Sequence, residues 1–208
     1  MQVRLLDLFC GAGGTAVGYC RAGFTDIVGV DNRPMPRYPF PFVQADALEY
    51  LEHHGMEFDV IHASPPCQAY SVTRFLPWLV GREFPRLIDP TRELLTKTDA
   101  LWIIENVMGA KLAAGWLCGG MFGLPFYRHR AFETNFFWLQ PGHPQHRRVS
   151  VSETVQRSLP RRPRGITDWG NAQSALGIDW MTRDELSQAI PPAYTEWIGK
   201  RLLEVVCK

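Results

Sequence analysis

Five short apolar runs, each ended by polar residues or glycine, form the clearest pattern along the chain. Runs of this length that lack polar alternation are typical of strands covered on both faces, as in a parallel sheet with crossover helices. The sequence therefore predicts a Rossmann-like α/β fold with a mostly parallel central sheet. The predicted strands are 5–9, 27–30, 58–63, 101–104 and 131–138.

Capping signals mark the starts of helices between and after these runs. Asp89 followed by Pro90 predicts an N-cap and a first helical position, with the helix continuing to about Thr98. Thr182 and Glu185 have the spacing of a capping box. A last helix is expected to begin near 191–192, because apolar residues then recur every three or four positions and form one stripe. That stripe comprises Trp197, Ile198, Leu202 and Val205.

The length of the chain and the uneven distribution of its charge suggest how it is organised. At 208 residues, we expect an α/β domain over 1–139, a basic segment over 140–187 and a C-terminal helix over 188–208 that returns to the domain. The net charge is only +1, but residues 128–164 carry eight arginines and two glutamates, a net charge of +6. This region is expected to contact negative charge.

The cysteines and the N-terminal residues indicate the compartment. Five cysteines without paired spacing fit neither a disulfide framework nor a Cys-x-x-Cys zinc site. Asp7 comes too early for a secretory signal, and no apolar run approaches the ~20 residues that span a bilayer. We therefore expect a soluble intracellular protein with no membrane partner. His143 and His146 are spaced like weak metal ligands, but no partner ligands are evident in the sequence, so no metal is expected.

A glycine-rich turn follows the first predicted strand. Glycines at Gly11, Gly13 and Gly14 allow a sharp turn and a close approach to a ligand before a helix that begins near Ala16. Asp31 ends the second run, 20 residues after Gly11, where a carboxylate can accept hydrogen bonds from ribose hydroxyls. The same pattern satisfies a relaxed dinucleotide fingerprint, so a nicotinamide-dependent enzyme stays open as an alternative.

Cys67 is the candidate nucleophile. It follows two prolines at the end of an apolar run, and a strand that stops there delivers the next side chain to the rim of the sheet. The alternative is that Cys67 is a small buried hydrophobic residue, which is a common environment for a free cysteine.

Four segments resemble, in order, the cofactor loop, nucleophile loop, acid motif and arginine motif of DNA (cytosine-5) methyltransferases. The resemblance covers 4–136 and is closest to compact phage-type members of that family. It implies an S-adenosylmethionine-dependent methyltransferase fold, an intracellular setting in a bacterium or a phage-infected host, and restriction–modification as the biological context. The segments are Asp7-Leu8-Phe9-Cys10-Gly11-Ala12-Gly13-Gly14, Pro65-Pro66-Cys67-Gln68-Ala69-Tyr70-Ser71, Glu105-Asn106-Val107 and Arg128-His129-Arg130.

The resemblance implies methyl transfer from S-adenosylmethionine to C5 of cytosine in DNA. Cys67 would add as a thiolate to C6 of a flipped-out base. Glu105 would act near N3 and N4, and Arg130 would hold O2. Arg128 would assist at the same edge or at the thiolate, and Asn106 would fix the nucleophile loop.

The resemblance also implies the residues that hold the cofactor. Phe9 would pack beside the adenosine, Asp31 would hold the ribose, and Asp46 would hold the adenine amino group. Asp46 taken alone is more typical of a helix cap, since 47–49 follow it as a helical pattern. The predicted cofactor-binding set is Asp7, Phe9, Gly11, Gly13, Gly14, Asp31, Asp46 and Pro66.

Three departures from the family pattern bear on the substrate. Phe126 stands where a glutamine is usual, and Ser187-Gln188 where the family's closing motif begins Gly-Asn. Only about fifty residues, 137–187, separate the arginine and closing motifs, too few for the usual target-recognition domain. We therefore expect single-stranded or weakly sequence-selective DNA as the partner, with the loop 68–88 closing over the base. An RNA-cytosine methyltransferase and a non-catalytic nucleic-acid-binding relative stay open as alternatives.

Overall fold

The computed structural model describes residues 2–113, 115–146 and 167–206. Within these ranges seven strands form one sheet. They are β1 (Arg4–Leu8), β2 (Asp26–Asp31), β3 (Phe42–Gln44), β4 (Val60–Ala63), β5 (Leu101–Asn106), β6 (Gly115–Leu117) and β7 (Arg130–Thr134). Their order is β3-β2-β1-β4-β5-β7-β6. Strands β1 to β5 pair in parallel, whereas β7 is antiparallel to both β5 and β6. The predicted Rossmann-like α/β fold with a mostly parallel sheet is confirmed.

Helices cover both faces of this sheet. In the described part of the chain they are α1 (Gly14–Ala22), α2 (Ala47–His54), α3 (Ile88–Leu95), α4 (Thr167–Leu176), α5 (Arg183–Gln188) and α6 (Pro192–Val206). Short 3-10 turns occur at Gly55–Glu57, Val72–Phe75, Met108–Ala110 and Gly119–Phe122. No helix within the described ranges is long and apolar enough to cross a membrane.

Successive strand residues feed two separate hydrophobic layers, because side chains alternate between the faces of a sheet. Leu5 and Ile103 pack in one layer with α1 and α6, and Leu6 and Ile104 pack in the other with α2 and α3. All four side chains are fully buried. Continuous apolar runs therefore satisfy both layers, which explains why the strands lack polar alternation.

Two predicted helix starts have different outcomes. Thr182 and Glu185 form the capping box that their spacing predicts. The prediction that Asp89 is an N-cap is wrong, because α3 begins at Ile88, one residue before Asp89, and Leu87 is its N-cap residue. Ile88 is 3% exposed, so burial of this apolar residue brings it into the first turn, and the Asp89 carboxylate accepts from Arg92 Nη1 at 2.6 Å instead.

The predicted boundaries also need correction. Helix α1 begins at Gly14 rather than near Ala16, the fifth predicted strand is shortened to β7, and the three-residue strands β3 and β6 were not predicted. On α6, Ile198 and Leu202 are fully buried as predicted, but Trp197 is 42% exposed, and its indole N–H donates to the Leu139 carbonyl at 2.8 Å.

The predicted basic segment 140–187 is only partly described. Its C-terminal residues form α4 and α5, and a small cluster with Ala12 of the glycine-rich turn contains Leu176 of α4, Ile178 between the helices and Leu186 of α5. Residues 147–166, which carry six of the arginines in this segment, lie outside the described ranges. The division of the chain into 1–139, 140–187 and 188–208 stays a prediction.

Candidate functional site

Cys67 lies at the carboxyl edge of the sheet, four residues after β4 ends. Pro65 and Pro66 stop the strand, and the Cys67 carbonyl then accepts from the N–H groups of Tyr70 at 3.0 Å and Ser71 at 2.9 Å. The chain turns sharply there, and the cysteine is exposed. The residue therefore lies exposed at the rim, unlike the buried cysteine of the alternative, although neighbouring groups partly desolvate its thiol.

Asn106 fastens the nucleophile loop to the neighbouring strand. It ends β5, is 1% exposed, and donates from Nδ2 to the Pro65 carbonyl at 2.8 Å. Its Oδ1 accepts from the N–H of Val107 at 3.0 Å. The amide thus uses a donor and an acceptor to hold β5 against the residues before Cys67, and its predicted role in the reaction stays a prediction.

Glu105 and Arg130 form an ion pair on adjacent strands. Glu105 precedes Asn106 on β5, and Arg130 opens the antiparallel strand β7. Arg130 Nε lies 3.0 Å from Glu105 Oε1, and the carboxyl residue is 5% exposed. Both groups act electrostatically on the Cys67 thiol. The structure therefore brings the thiol, the carboxyl and the guanidinium together.

Burial sets the protonation of this group. It raises the pKa of Glu105 to about 6, opposed by Arg130, by a hydrogen bond from Ser64 and by Arg128. Desolvation also raises the pKa of the Cys67 thiol, which Arg130 lowers and Glu105 raises. The carboxyl is consequently able to gain or lose a proton near neutral pH, as a general acid requires.

A chain of hydrogen bonds that was not predicted from the sequence runs from Tyr19 through His62 and Ser64 to the Glu105 carboxyl. His62 Nε2 lies 3.0 Å from Ser64 Oγ, and His62 Nδ1 lies 2.7 Å from the Tyr19 hydroxyl. Burial lowers the pKa of His62 to about 3, so the ring is neutral. Because Ser64 donates to Glu105, its oxygen accepts from His62 Nε2–H, and Nδ1 accepts from Tyr19. The feature of the sequence that could have indicated this chain is the histidine at position 62, inside an otherwise apolar run.

Arg128 has partners different from those of Arg130. Its Nη1 donates to the Ala189 carbonyl and, at 3.3 Å, to the Leu186 carbonyl at the end of α5. The Tyr194 hydroxyl donates to the Arg128 carbonyl at 2.8 Å. Burial and the nearby Arg130 lower the pKa of Arg128 to about 10. The structure places Arg128 as a tie between the start of β7 and the C-terminal segment, and its predicted role at the base stays a prediction.

The glycine-rich turn leaves open space beside a carboxylate. Gly11 has a φ of 51°, and a Cβ built there meets nothing within 4 Å. Asp31 Oδ2 accepts from the Gly11 N–H at 3.1 Å, and Oδ1 accepts from the Arg33 N–H at 3.0 Å. A ligand can thus approach the backbone closely at Gly11, next to a carboxylate that has further lone pairs to offer.

Some predicted cofactor residues serve the protein itself. Asp7 is fully buried below the turn, where it accepts from the Tyr38 hydroxyl at 3.2 Å. Burial raises the pKa of Asp7 to about 8, opposed by the Tyr38 hydrogen bond and supported by Asp31. A Cβ on Gly14 would lie 2.7 Å from the Ile190 carbonyl, so this glycine serves packing. Asp46 caps α2 by accepting from two N–H groups, as the alternative held.

The remaining predicted residues lie around the turn and the nucleophile. Gly13 has a φ of 91°, and a Cβ there would lie 2.7 Å from Pro39 Cδ. Phe9 has a φ of 57° and is partly buried. Pro66 is partly exposed beside Cys67. Phe9, Gly11 and Asp31 are therefore the predicted residues best placed to meet a ligand at the turn.

Comparison with known proteins supports the motif assignment. The model of the family C-5 cytosine-specific DNA methylase matches residues 3–111, just over half of the chain. The chain is 30% identical over 132 residues to Type II methyltransferase M.AquIA of Picosynechococcus sp., covering 52% of this chain and 50% of that protein. It is 32% identical over 123 residues to Type II methyltransferase M.HgiDI of Herpetosiphon aurantiacus, covering 53% and 39%. The chain thus spans half or less of the length of these two relatives.

The fold is shared more widely than the sequence. The crystal structure of S. pombe Dnmt2 methyltransferase superposes with a TM-score of 0.64 at 13% identity, covering 99% of both chains. This likeness concerns the fold alone. The four motifs quoted above fall within or just after the matched 3–111 region, in the order the fold brings to one edge of the sheet. The resemblance is therefore confirmed, and this chain belongs to the C-5 cytosine-specific DNA methylase family.

Proposed function

We propose that this protein transfers a methyl group from S-adenosylmethionine to C5 of cytosine in DNA, through a covalent bond between Cys67 and C6. The observation that carries the proposal is the convergence of Cys67, Glu105 and Arg130 at the carboxyl edge of the sheet. Cytosine C5 is a weak nucleophile, and addition of a thiolate at C6 converts the ring into an enamine-like species that accepts a methyl group.

Glu105 and Arg130 have complementary tasks in this reaction. Negative charge builds on the pyrimidine as the thiolate adds, and a protonated carboxyl near N3 and N4 stabilises it. Arg130 holds the carboxyl in place and presents its guanidinium towards O2. After methylation the C5 proton passes to water, the bond between sulfur and C6 breaks, and Cys67 leaves as a thiolate.

S-adenosylmethionine fits the glycine-rich turn on physical grounds. It has no pyrophosphate, so it needs close backbone approach rather than a phosphate cradle, and the open space at Gly11 allows that approach. Asp31 would accept from the ribose hydroxyls, Phe9 would pack beside the adenine ring, and Asp46 would reach its amino group. When bound, the cofactor supplies an electrophilic methyl group on a sulfonium.

The loop after Cys67 has the composition of a nucleic-acid contact. Arg74, Arg82 and Arg86 are exposed there, together with Phe75 and Trp78, which are 67% and 68% exposed. Exposed arginines neutralise phosphates, and exposed aromatic rings stack on unpaired bases or fill the space that an extruded base leaves. We propose that this loop contacts DNA and that the arginines of 147–166, by their charge, add to the affinity for phosphates.

Methylated DNA provides the test. DNA from cells that express the chain should contain cytosines protected from bisulfite conversion, and the Cys67→Ala variant should show none. Cys20→Ala is the matched control, because Cys20 is an exposed cysteine on α1 away from the ion pair, and it should keep the wild-type pattern. Conversion of all cytosines in the wild-type sample would contradict the proposal.

The choice of nucleic acid needs a second measurement. Oligonucleotides with 5-fluorocytosine trap the covalent adduct, because the fluorine at C5 cannot leave as a proton does. We expect a denaturation-resistant adduct with DNA that requires Cys67. An adduct formed with RNA alone would favour the RNA-cytosine alternative, and binding to DNA with no adduct on either substrate would favour the non-catalytic one.

A further inference from the structure

A group of metal-binding side chains lies outside the proposed reaction site. Its members are Cys118, His129, His143 and His146, and their ligand atoms all lie within 4.8 Å of one another. Four ligands around a tetrahedral Zn²⁺ lie about 3.3 to 3.6 Å apart, given the usual bond lengths to sulfur and nitrogen. Cys118 Sγ is 3.2 Å from His146 Nε2. The four donors therefore need only small movements to reach coordination geometry.

Two structural elements bring these donors together. Cys118 directly follows β6, and His129 directly precedes β7, its antiparallel neighbour. His143 and His146 come from the segment that leaves the sheet after β7. The sequence showed the spacing of these last two histidines but no partner, whereas the hairpin of β6 and β7 supplies two partners that are eleven residues apart in the chain.

Aromatic rings hold the imidazoles in place. The His146 ring stacks on Tyr127 with centroids 3.6 Å apart, and His143 lies edge-on to Trp116 at 4.7 Å. Trp116 also contacts His129 at 5.4 Å. Such contacts restrict the imidazole orientations before a metal arrives, and this lowers the entropic cost of binding.

The donors are of the right chemical type and can be reached by an ion. Cys118 is buried, whereas His129 and His146 are partly exposed. Zn²⁺ binds imidazole nitrogen and cysteine thiolate, and the thiol proton is released to solvent as the ion binds. His143 is exposed, so an ion can enter from solvent.

We propose that Cys118, His129, His143 and His146 bind one divalent transition metal ion, Zn²⁺ by the chemistry of one thiolate and three imidazoles. Four protein ligands leave no open position, so the ion is structural. It fastens the segment up to residue 146 onto the hairpin of β6 and β7. It also fixes His129, which lies between Arg128 and Arg130.

Metal content tests the proposal directly. The full-length chain, stripped with a chelator and dialysed, should take up about one equivalent of Zn²⁺, measured by mass spectrometry of the metal and by competition with a metallochromic dye. Substitution with Co²⁺ should give the intense visible bands of tetrahedral coordination and a thiolate charge-transfer band. The Cys118→Ala variant should lose the charge-transfer band, whereas Cys20→Ala should keep it.

The histidines have matched controls. His143→Ala and His53→Ala each remove an exposed imidazole, so both variants are expected to fold. We expect His143→Ala to bind Zn²⁺ at least tenfold more weakly and His53→Ala to bind as the wild type does. A chelator should lower the melting temperature of the wild type and of His53→Ala by several degrees, but not that of His143→Ala.

Two results would overturn the metal site. One is the absence of stoichiometric uptake by the wild type at micromolar Zn²⁺, which would show that the Cys118–His146 hydrogen bond is the whole function of the cluster. The other is equal uptake by the wild type, Cys118→Ala and His143→Ala, which would place the ion elsewhere. Neither result depends on methyl transfer, so each leaves the proposed function untouched.

Discussion

The proposed reaction site and the cysteine–histidine cluster share one tripeptide, Arg128-His129-Arg130, but sequence motifs indicate the first, whereas only the pairing of β6 with β7 assembles the second. The backbone turns at Arg128, where φ is 35°, and the side chains of the tripeptide reach different partners. Arg130 meets Glu105, and His129 meets Cys118. A motif that carries one role can thus hide a second. The predictions below separate the two roles.

Among the groups beside the nucleophile, the largest effect is expected at Glu105. Proton transfer from a positioned carboxyl contributes about 10²- to 10⁴-fold to rate, so Glu105→Gln should lower kcat at pH 7 by roughly a hundredfold or more. Glu133→Gln is the matched control, because Glu133 lies on β7 and pairs with Arg92 instead, and its turnover should stay near wild type. A Glu105→Gln variant with full turnover would contradict the role of this carboxyl.

The pH profile should sharpen this result. The proposed reaction needs protonated Glu105 and deprotonated Cys67. Below pH 6 Glu105 is already protonated, so the rate rises tenfold per pH unit with the thiolate fraction. Above about pH 6 the loss of the Glu105 proton offsets the gain in thiolate, and the rate levels off. Arg130, Arg128 and Ser64 all act on this carboxyl. In Glu105→Gln the offset is absent, and the rate should keep rising towards the pKa of Cys67.

Substitution of Arg130 should mainly reduce turnover, whereas substitution of Arg128 should mainly reduce the stability of the fold. Arg130 Nε lies 3.0 Å from Glu105 Oε1, and loss of one positioned donor at a reacting group costs about 10²- to 10³-fold in rate, so Arg130→Met should slow methyl transfer about a hundredfold in single-turnover assays. Arg128→Met removes hydrogen bonds to the Leu186 and Ala189 carbonyls. It should lower the free energy of unfolding by about 2 kcal/mol, with a small effect on turnover of the folded protein. The reverse pattern would assign Arg128 to the base.

Removal of the metal ion from the cysteine–histidine cluster should have only a small effect on methyl transfer. If the ion fixes His129, a chelator should lower methyl transfer several-fold by loosening Arg130, whose Nη1 donates to the His129 carbonyl at 2.9 Å. His143→Ala should show the same reduced activity with and without chelator. Unchanged activity in a chelated protein that has lost its ion would show that the cluster stabilises the hairpin without affecting the arginine.

The smallest expected effect concerns the buried hydrogen-bond chain. Ser64→Ala removes the hydrogen bond that favours the charged carboxylate, so the pKa of Glu105 should rise further. The levelling of the pH profile should then move upward by less than about one pH unit, and kcat should change less than tenfold. Ser187→Ala, whose hydroxyl donates to the Asp184 carbonyl, is a control that should leave the profile in place. A profile identical to wild type would show that Ser64 only packs.

Local signals determined much of the architecture. The apolar runs placed five strands because both faces of a parallel sheet are buried, and the Thr182–Glu185 capping box formed because it needs only neighbouring residues. The order of the motifs placed Cys67 and Glu105 at one edge, since parallel strands end on the same side. Arg130 reaches that edge only because β7 runs antiparallel to β5. Local signals failed at Asp89, where burial of Ile88 shifted the start of the helix.

The cluster depended on tertiary structure, as did the support behind Glu105. Cys118 and His129 become neighbours only through the pairing of β6 with β7, and β6 is a three-residue strand without a recognisable pattern. Tyr19 and His62 meet across 43 residues because α1 packs on the face of β4. A sequence shows which side chains carry chemistry and where strands end. Only the packing of the whole chain decides which side chains far apart in the sequence come within a few ångströms of one another, because tertiary structure alone sets those distances.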